Sequence, residues 1–335
     1  MTKRVAIILA GGKGQRFQTK NGRWQDKALA DLWGKPLLVR AVESVRDVVD
    51  EVVIVVKDQR RKIEYGKVLE TFGVKDASLI TDLDVKGLSG PLIAIYTGLT
   101  FSEADYALTV PSDVPLLSRK VVDYLFAEMK NSYVGVPMWP NSRLETLLMT
   151  LNRKICVKIT EALCQLGRSH PDDIIRGAQK VLFVSPLGEI KKLDPELKSF
   201  VNINFQEDLS RLQPRQGQGA TVENIRLNLG EPPLEEIPLI LEASKRKDNR
   251  DFLSSSEMFA DCATRLEKKE RFFWAALSRE QQAKTQSVST QQAKDAFLKA
   301  AQNYFVEAKV YEENRCFLLA ERARSDAAWI QRQIK

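Results

Sequence analysis

The chain has 335 residues, 44% of them hydrophobic and 28% charged, with a formal net charge of +7. That length buries a sizeable core and predicts two domains, no apolar run reaches the roughly 18–20 residues of a membrane span, and no signal-peptide pattern precedes the first apolar segment. Four cysteines without a CxxC pair (Cys156, Cys164, Cys262, Cys316) and the one histidine, His170, argue against zinc sites, disulfide frameworks and histidine triads, and together fit a reducing cytoplasm.

Val5-Ala6-Ile7-Ile8-Leu9 predicts a buried parallel strand, broken at Ala10-Gly11-Gly12-Lys13-Gly14. Glycines there remove the β-carbons that hold a ligand off the backbone, so amide groups can wrap an anion. Arg16, Lys20, Arg23 and Lys27 add positive charge before Asp26-Lys27-Ala28-Leu29 closes the segment, which reads as a phosphate loop with a basic lid. The loop fits neither the GxxxxGK[ST] nor the GxGxxG pattern, since Phe17 stands at the third glycine of the latter.

Pro36 suits a first helical position, and Leu37, Leu38, Ala41, Val42 and Val45 form a helical stripe within residues 37–48. Strands follow at 51–56 and 77–81, with a helix over 62–72 between them. This alternation predicts a parallel sheet covered by helices on both faces. Gly87-Leu88-Ser89-Gly90-Pro91-Leu92 opens a helix over 93–101, and a strand at 106–110 runs into Pro111-Ser112-Asp113-Val114-Pro115. Ligands of open α/β sheets gather at the carboxyl ends of strands, where Asp113 falls. Ser118 predicts the N-cap of a helix through Lys130. Further strands are expected at 133–138, 144–151 and 181–184, a helix over 153–166, an extended piece at 200–204 and a helix from Glu207.

Residues 213–233 are rich in Gln, Gly and Pro and predict a linker. From Leu234 onward Gly and Pro almost vanish, and Ala296, Phe297, Ala300, Ala301, Tyr304 and Ala308, then Phe317, Leu318, Ala320 and Ala323, recur at helical spacing. Residues 231–335 hold 18 Lys/Arg against 17 Asp/Glu, so the positive excess lies in the first 230 residues, spread rather than gathered in a tail. That suits phosphorylated small molecules at least as well as nucleic acid, which is not expected as a partner.

The ordered motifs resemble those of GTA-like nucleotidyltransferases. Leu9-Ala10-Gly11-Gly12-x-Gly14-x-Arg16 resembles the superfamily's NTP loop. Asp26-Lys27-Ala28-Leu29 with Gly34-Lys35-Pro36-Leu37-Leu38, then Gly90-Pro91-Leu92, Pro111–Leu117 and Asn202-Ile203-Asn204-Phe205-Gln206-Glu207-Asp208-Leu209, is similar to the molybdenum cofactor guanylyltransferase (MobA-type) family. The chain departs from that family in a longer stretch between Gly12 and Lys27, in Phe205-Gln206 where Thr-Pro is usual, and in its C-terminal segment.

The resemblance implies a Rossmann-like, mostly parallel α/β sheet with helices on both faces, followed by an all-α domain. The expected limits are a nucleotidyltransferase domain at 1–215, a linker at 216–233 and a helical bundle or helical hairpins at 234–335. It implies transfer of GMP from GTP to the phosphate of molybdopterin, with release of pyrophosphate and dependence on Mg²⁺. No protein nucleophile is required, so catalysis rests on alignment and charge neutralisation. Leu9, Ala10, Gly11, Gly12, Lys13 and Gly14 then hold the triphosphate, Arg16 and Lys27 offset its charge, and Asp113 binds the metal. Asn204, with Asn202 beside it, stands near the metal or the acceptor phosphate. Asp82 faces guanine, whose N1 and N2 hydrogens a carboxylate accepts, although Asp84 is nearly as well placed; Gly90, Pro91 and Leu92 shape the base pocket.

Outside that context Asp113 caps a turn, Lys27 is a solvated lysine, and Asn202 and Asn204 shape a strand end. Guanylyl transfer to adenosylcobinamide phosphate, cytidylyl transfer to molybdopterin and sugar-phosphate activation share the loop and the Asp113 position. A non-enzymatic nucleotide sensor is the remaining alternative, disfavoured by the intact Lys27 and Asp113. The helical segment is expected to make protein contacts, by self-association or with a partner, its stripe serving otherwise as bundle core.

Overall fold

The computed structural model describes residues 2–12, 26–205, 207–213, 223–286 and 290–334. In chain order it runs β1 (Arg4–Leu9), a hairpin of β2 (Asp31–Leu32) and β3 (Lys35–Pro36), α1 (Leu37–Val45), β4 (Glu51–Val56), α2 (Gln59–Thr71), β5 (Ala77–Thr81) and α3 (Pro91–Phe101). It continues with β6 (Tyr106–Pro111), α4 (Arg119–Ala127), β7 (Val134–Pro137), β8 (Thr150–Asn152), α5 (Arg153–Gln165), α6 (Asp172–Ala178), β9 (Lys180–Val184), α7 (Lys191–Leu193), α8 (Asp208–Arg211) and β10 (Ile225–Asn228). Five helices follow: α9 (Ile237–Asp248), α10 (Phe252–Lys268), α11 (Phe272–Lys284), α12 (Gln291–Glu313) and α13 (Phe317–Ile334). Two units emerge, the first of Met1–Thr160, Ser169–Pro171 and Val181–Arg226, the second of Glu161–Arg168, Asp172–Lys180 and Leu227–Lys335. Residues 161–168 and 172–180, expected with the first domain, thus group with the helices.

The eight-stranded sheet has the order β10-β9-β7-β8-β6-β1-β4-β5. β1 pairs in parallel with β4 and β6, β4 with β5, and β7 with β9, while β8 runs antiparallel to both its neighbours. Val5, Ala6, Ile7 and Ile8 are fully buried, as a strand needs to be when helices cover both faces. The chain steps outward from β1 to β4 and β5, then returns to lay β6 on the other side of β1, so the strand order reverses there. Leu9 lies opposite Val55 and Pro111, and Val56 opposite Thr81. That register brings Ala10–Gly12, Lys57, Asp82 and Ser112-Asp113 out at one carboxyl edge.

On α3, Gly98 lies against β1: a β-carbon there would be driven into the Ile7 side chain, with Cδ1 and Cγ1 at 3.0 Å. Gly98→Ala is therefore expected to destabilise the protein by about 1–3 kcal/mol through overpacking, overriding the roughly 1 kcal/mol that alanine adds to a helix. Urea unfolding measures it; a stabilised variant would contradict the packing.

Several expectations need correction. Ser118 makes no side-chain cap; its amide donates to Ser199 Oγ at 3.0 Å, and α4 ends at Ala127. Of the strand expected at 144–151, only the end pairs, as β8, with Leu144 bridging Met138. Between them the chain makes a tight turn, in which Leu148 N–H donates to Glu145 O at 2.8 Å, and this takes residues 145–148 out of the ladder. The segment read as a linker contains β10, and α8 is a single turn.

In the second unit, each of α9 to α13 packs on the next in sequence, as short connections dictate. Arg250, Glu270 and Arg315 adopt positive φ (64°, 57° and 60°) at three of the turns. In each the following amide reaches back to the preceding helix, Asp251 to Arg246 O at 2.9 Å, Arg271 to Leu266 O and Cys316 to Tyr311 O at 2.8 Å, which satisfies carbonyls left open at a helix end. Ala296, Phe297, Ala300, Ala301, Tyr304 and Ala308 are buried, as are Ala320 and Ala323, but Phe317 and Leu318 are exposed. α6 joins this unit through buried Arg176, which forks onto Glu307 with Nε–Oε1 at 2.8 Å and Nη2–Oε2 at 2.7 Å. No described helix is long and apolar enough to cross a membrane.

Candidate active site at the carboxyl edge of the sheet

A cleft of ≈ 440 Å³ opens where the strand order reverses, walled by Leu9, Ala10, Gly11 and Gly12 on one side and by Pro111, Ser112 and Asp113 on the other. The β1 end is held by Ala10 N–H donating to Val55 O at 2.9 Å. A β-carbon on Gly11 would stand 3.5 Å from the Lys57 backbone nitrogen and 3.8 Å from Asp82 Oδ2, in ordinary van der Waals contact, so this backbone passes close to both residues.

Three polar residues from distant segments converge. The Lys27 ammonium is ion-paired with Asp113 Oδ2 and donates to Asn204 Oδ1 at 3.1 Å. The Asp113 carbonyl accepts from Ile203 N–H at 3.0 Å, which draws Asn204 alongside. Asp208 then fixes that turn, its Oδ2 accepting from the amides of Asn204 and Phe205 at 2.8 and 2.9 Å. Asp26 sets Lys27 itself, capping the Lys27–Leu29 turn by accepting from Ala28 N–H at 3.1 Å.

Asp113 Oδ1 is buried and has no hydrogen-bond partner among the described residues. A bare carboxylate oxygen beside an amide oxygen is a hard donor set that fits Mg²⁺, which takes one or two protein oxygens and fills its octahedron with water and phosphate. Among the described residues no cluster of three or more His, Cys, Asp or Glu offers an all-protein cage.

At the end of β5, Asp82 N–H donates to Val56 O at 2.9 Å, and its carboxylate forms part of the wall, with Oδ1 buried and without a hydrogen-bond partner among the described residues. Burial pushes this carboxyl up to about 6, with the nearby Lys57 opposing. Its ordinary value is 3.8, so the native protein retains a proton that the unfolded chain has lost between those values, and stability falls as pH rises through that window. Asp82→Asn is expected to raise the Tm of the ligand-free protein at pH 7 and to flatten its decline between about pH 4 and 6. Parallel Tm–pH curves for the two proteins would refute this.

Asp84, by contrast, is exposed, accepts from Gly87 N–H at 3.4 Å and is not on the wall. Gly90, at φ 129°, and Pro91, the first residue of α3, are on it. Leu92 is fully buried beneath and does not line the cleft. Neither Asn202, whose Nδ2 donates to Phe200 O at 3.4 Å, nor Asn204 is on the wall; Asn204 is linked to it through the Lys27 ammonium. Lys13, Gly14 and Arg16 lie outside the described residues.

The structure adds Lys57, Tyr65, Ser89 and Leu147 to the wall. Lys57 was open to the rule that placed Asp113, since it directly follows the apolar run of β4.

A profile of the MobA-like NTP transferase domain matches residues 6–182. A protein of Methanosarcina acetivorans named "Probable molybdenum cofactor guanylyltransferase" is 33% identical over 210 residues, covering 62% of this chain and 89% of that protein. One of the same name from Methanosarcina mazei is 32% identical over 209 residues, with the same coverage of 62% and 89%. In fold, the chain resembles the crystal structure of molybdopterin-guanine dinucleotide biosynthesis protein A from Archaeoglobus fulgidus, with a TM-score of 0.50 and 23% identity over 63% of this chain and 96% of that one.

Proposed function

This chain belongs to the MobA-like NTP transferase family, and from that premise we propose that it transfers GMP from GTP to the terminal phosphate of molybdopterin, releasing pyrophosphate. The observation that carries the proposal is the ion pair of Lys27 and Asp113 on the cleft wall that Gly11 and Gly12 share, with Asn204 bonded to the Lys27 ammonium. A phosphate oxygen of the acceptor forms the new bond to the α-phosphorus, and the bond to the leaving pyrophosphate breaks, with no covalent enzyme intermediate. The glycine backbone and Lys27 hold and neutralise the triphosphate, so that the anionic acceptor can approach an anionic donor. Asp113, with Asn204, would hold Mg²⁺; when bound, that ion withdraws charge from the phosphate oxygens. In the ligand-free cleft the Lys27 ammonium covers the Asp113 carboxylate and the Asn204 amide oxygen, keeping these groups mutually solvated and aligned.

Asp82 gives the reading its preference for guanine. The N1 and N2 hydrogens of guanine match a carboxylate on the cleft wall, whereas adenine and cytosine present an acceptor where guanine presents N1–H. The names of the Methanosarcina relatives favour the same base and acceptor.

Thermal denaturation with Mg²⁺ and each NTP in turn tests the nucleotide. Binding to the native state at about 100 times Kd adds about 2.7 kcal/mol, so GTP is expected to raise Tm clearly and CTP, UTP and ATP far less. A larger shift with CTP than with GTP would overturn the assignment.

A further inference from the structure

Helix α2 carries a pair of residues that reach two separate points of the cleft wall. Asp58 caps the helix, accepting from Arg61 N–H at 3.0 Å, which fixes the first turn. From there Arg61 Nη1 donates to the carbonyl of Gly11 at 2.8 Å, while its Nε stands 3.6 Å from Asp26 Oδ2 in an ion pair whose side chains are only 13% and 11% exposed. One turn further, on the same face, the fully buried Tyr65 donates its hydroxyl to that same Asp26 Oδ2 at 2.9 Å. The other oxygen of Asp26 caps the turn that bears Lys27.

We propose that Arg61 and Tyr65 are positioning residues, clasping Gly11 to Asp26 so that the phosphate-binding backbone and the Lys27 ammonium are held at one fixed separation. The inference rests on the nucleotidyltransferase reading of the cleft for its kinetic consequence, though not for its geometry. An arginine suits the task because its planar fork serves two acceptors at once. A tyrosine suits it because its hydroxyl is delivered on a rigid ring that buries well. Among the described residues the hydrogen bonds and the ion pair of these two side chains run to Asp26 and Gly11, Arg61 reaching both and Tyr65 reaching Asp26, so both act through those residues. Small displacements of aligned groups cost rate steeply, about 10²-fold for roughly 1 Å.

Two readouts on the full-length chain separate this role from mere support of the fold. The first is the rate at which Lys27 is acylated by an amine-reactive ester, followed by peptide mass spectrometry below the unfolding transition, with no substrate present. The second is kcat and KM for pyrophosphate release. Tyr65→Phe keeps the packing and removes one donor; Arg61→Lys keeps the charge and loses the fork; Arg61→Ala loses both. Arg61→Ala is expected to speed Lys27 acylation several-fold and to lower kcat about 10- to 100-fold, with Arg61→Lys rescuing only part of it. Tyr65→Phe is expected to lower kcat by about 3- to 10-fold with a smaller change in KM. Variants that lose only Tm, with Lys27 acylation and kcat as in the wild type, would overturn the clasp. Should the wild type show no turnover with GTP and molybdopterin, the functional reading fails while the acylation rates still decide the clasp.

Discussion

Asp113→Asn is expected to lower turnover by roughly 10²- to 10³-fold at saturating GTP and acceptor, the scale of removing one pre-aligned electrostatic group from a transition state. The substitution keeps the shape of the side chain and removes its charge. Asp113 Oδ1 is buried without a hydrogen-bond partner among the described residues, and Oδ2 pairs with Lys27, so the carboxylate has one oxygen committed to the ammonium and one that no described group engages. Asparagine leaves the Asp113 carbonyl free to accept from Ile203 N–H as before, which keeps the Asn204 turn in place. The Lys27 ammonium retains its bond to Asn204 Oδ1, 3.1 Å long. Tm should therefore move little, and the loss should fall on kcat. Steady-state pyrophosphate release with a parallel melting curve measures both. Activity within threefold of the wild type would show that Asp113 only shapes a turn.

The largest effect on stability is expected in the helical unit. Arg176 is fully buried, forked onto Glu307 and bonded through Nη1 to Asp326 Oδ2 at 2.7 Å and Asp173 Oδ1 at 3.1 Å. Arg168 completes the cluster, with Nε 2.8 Å from Asp173 Oδ2 and Nη2 2.9 Å from Asp326 Oδ2. The Arg176 guanidinium also lies 4.3 Å over the Phe273 ring. Desolvation pushes Glu307 above its usual range, opposed by Arg176. Removing that guanidinium leaves buried carboxylates short of a cation, which costs about 3–5 kcal/mol. Arg176→Ala is accordingly expected to lower the urea midpoint of the helical unit strongly. The pair Arg176→Met with Glu307→Leu, which removes both charges and keeps volume, should regain much of the loss, because replacing a buried ion pair by apolar groups is often near neutral. A single-variant loss under about 1 kcal/mol would contradict the cluster's role. The same cluster explains why α6 groups with α9 to α13, and why a chain cut at residue 231 would strip partners from Arg176 and from Gly177 O, which accepts from Trp274 Nε1 at 3.0 Å.

The legible parts of the fold were those whose physics is local. β4 and β5 match the expected 51–56 and 77–81 residue for residue: β4, buried on both faces, is an apolar run, and β5, a half-buried edge strand, is a short β-prone run set off by Asp76 and Asp82. α12 was visible in its alanine and aromatic spacing. α6 was not, because seven residues carry too few turns for a period, and its identity is set by buried charges whose partners lie more than a hundred residues away. β10 hides in Ile225-Arg226-Leu227-Asn228, an alternation too short to stand out from its Gln- and Gly-rich surroundings.

At the site, Lys27, Asp113 and Asn204 were marked by motifs, and the structure brings the Asp113 and Asn204 side chains onto the Lys27 ammonium. Asp82 and Asp84 were indistinguishable in sequence, since a strand end does not say which of two nearby carboxylates turns inward. Only the fold separates them, half-burying Asp82 in the cleft wall and leaving Asp84 exposed. Arg61 and Tyr65 were silent for a different reason. In a helix as polar as α2, an arginine and a tyrosine one turn apart look like solvated surface, and their importance comes entirely from Gly11 and Asp26 lying under that face.

The central claim, guanylyl transfer at this cleft, is tested most directly by following label from [α-³²P]GTP in the presence of Mg²⁺ and molybdopterin. The account predicts label in a molybdopterin guanine dinucleotide, one pyrophosphate released per label transferred, and loss of both in Asp113→Asn. Transfer from labelled CTP but not GTP, or label passing only to a sugar phosphate or to adenosylcobinamide phosphate, would contradict it.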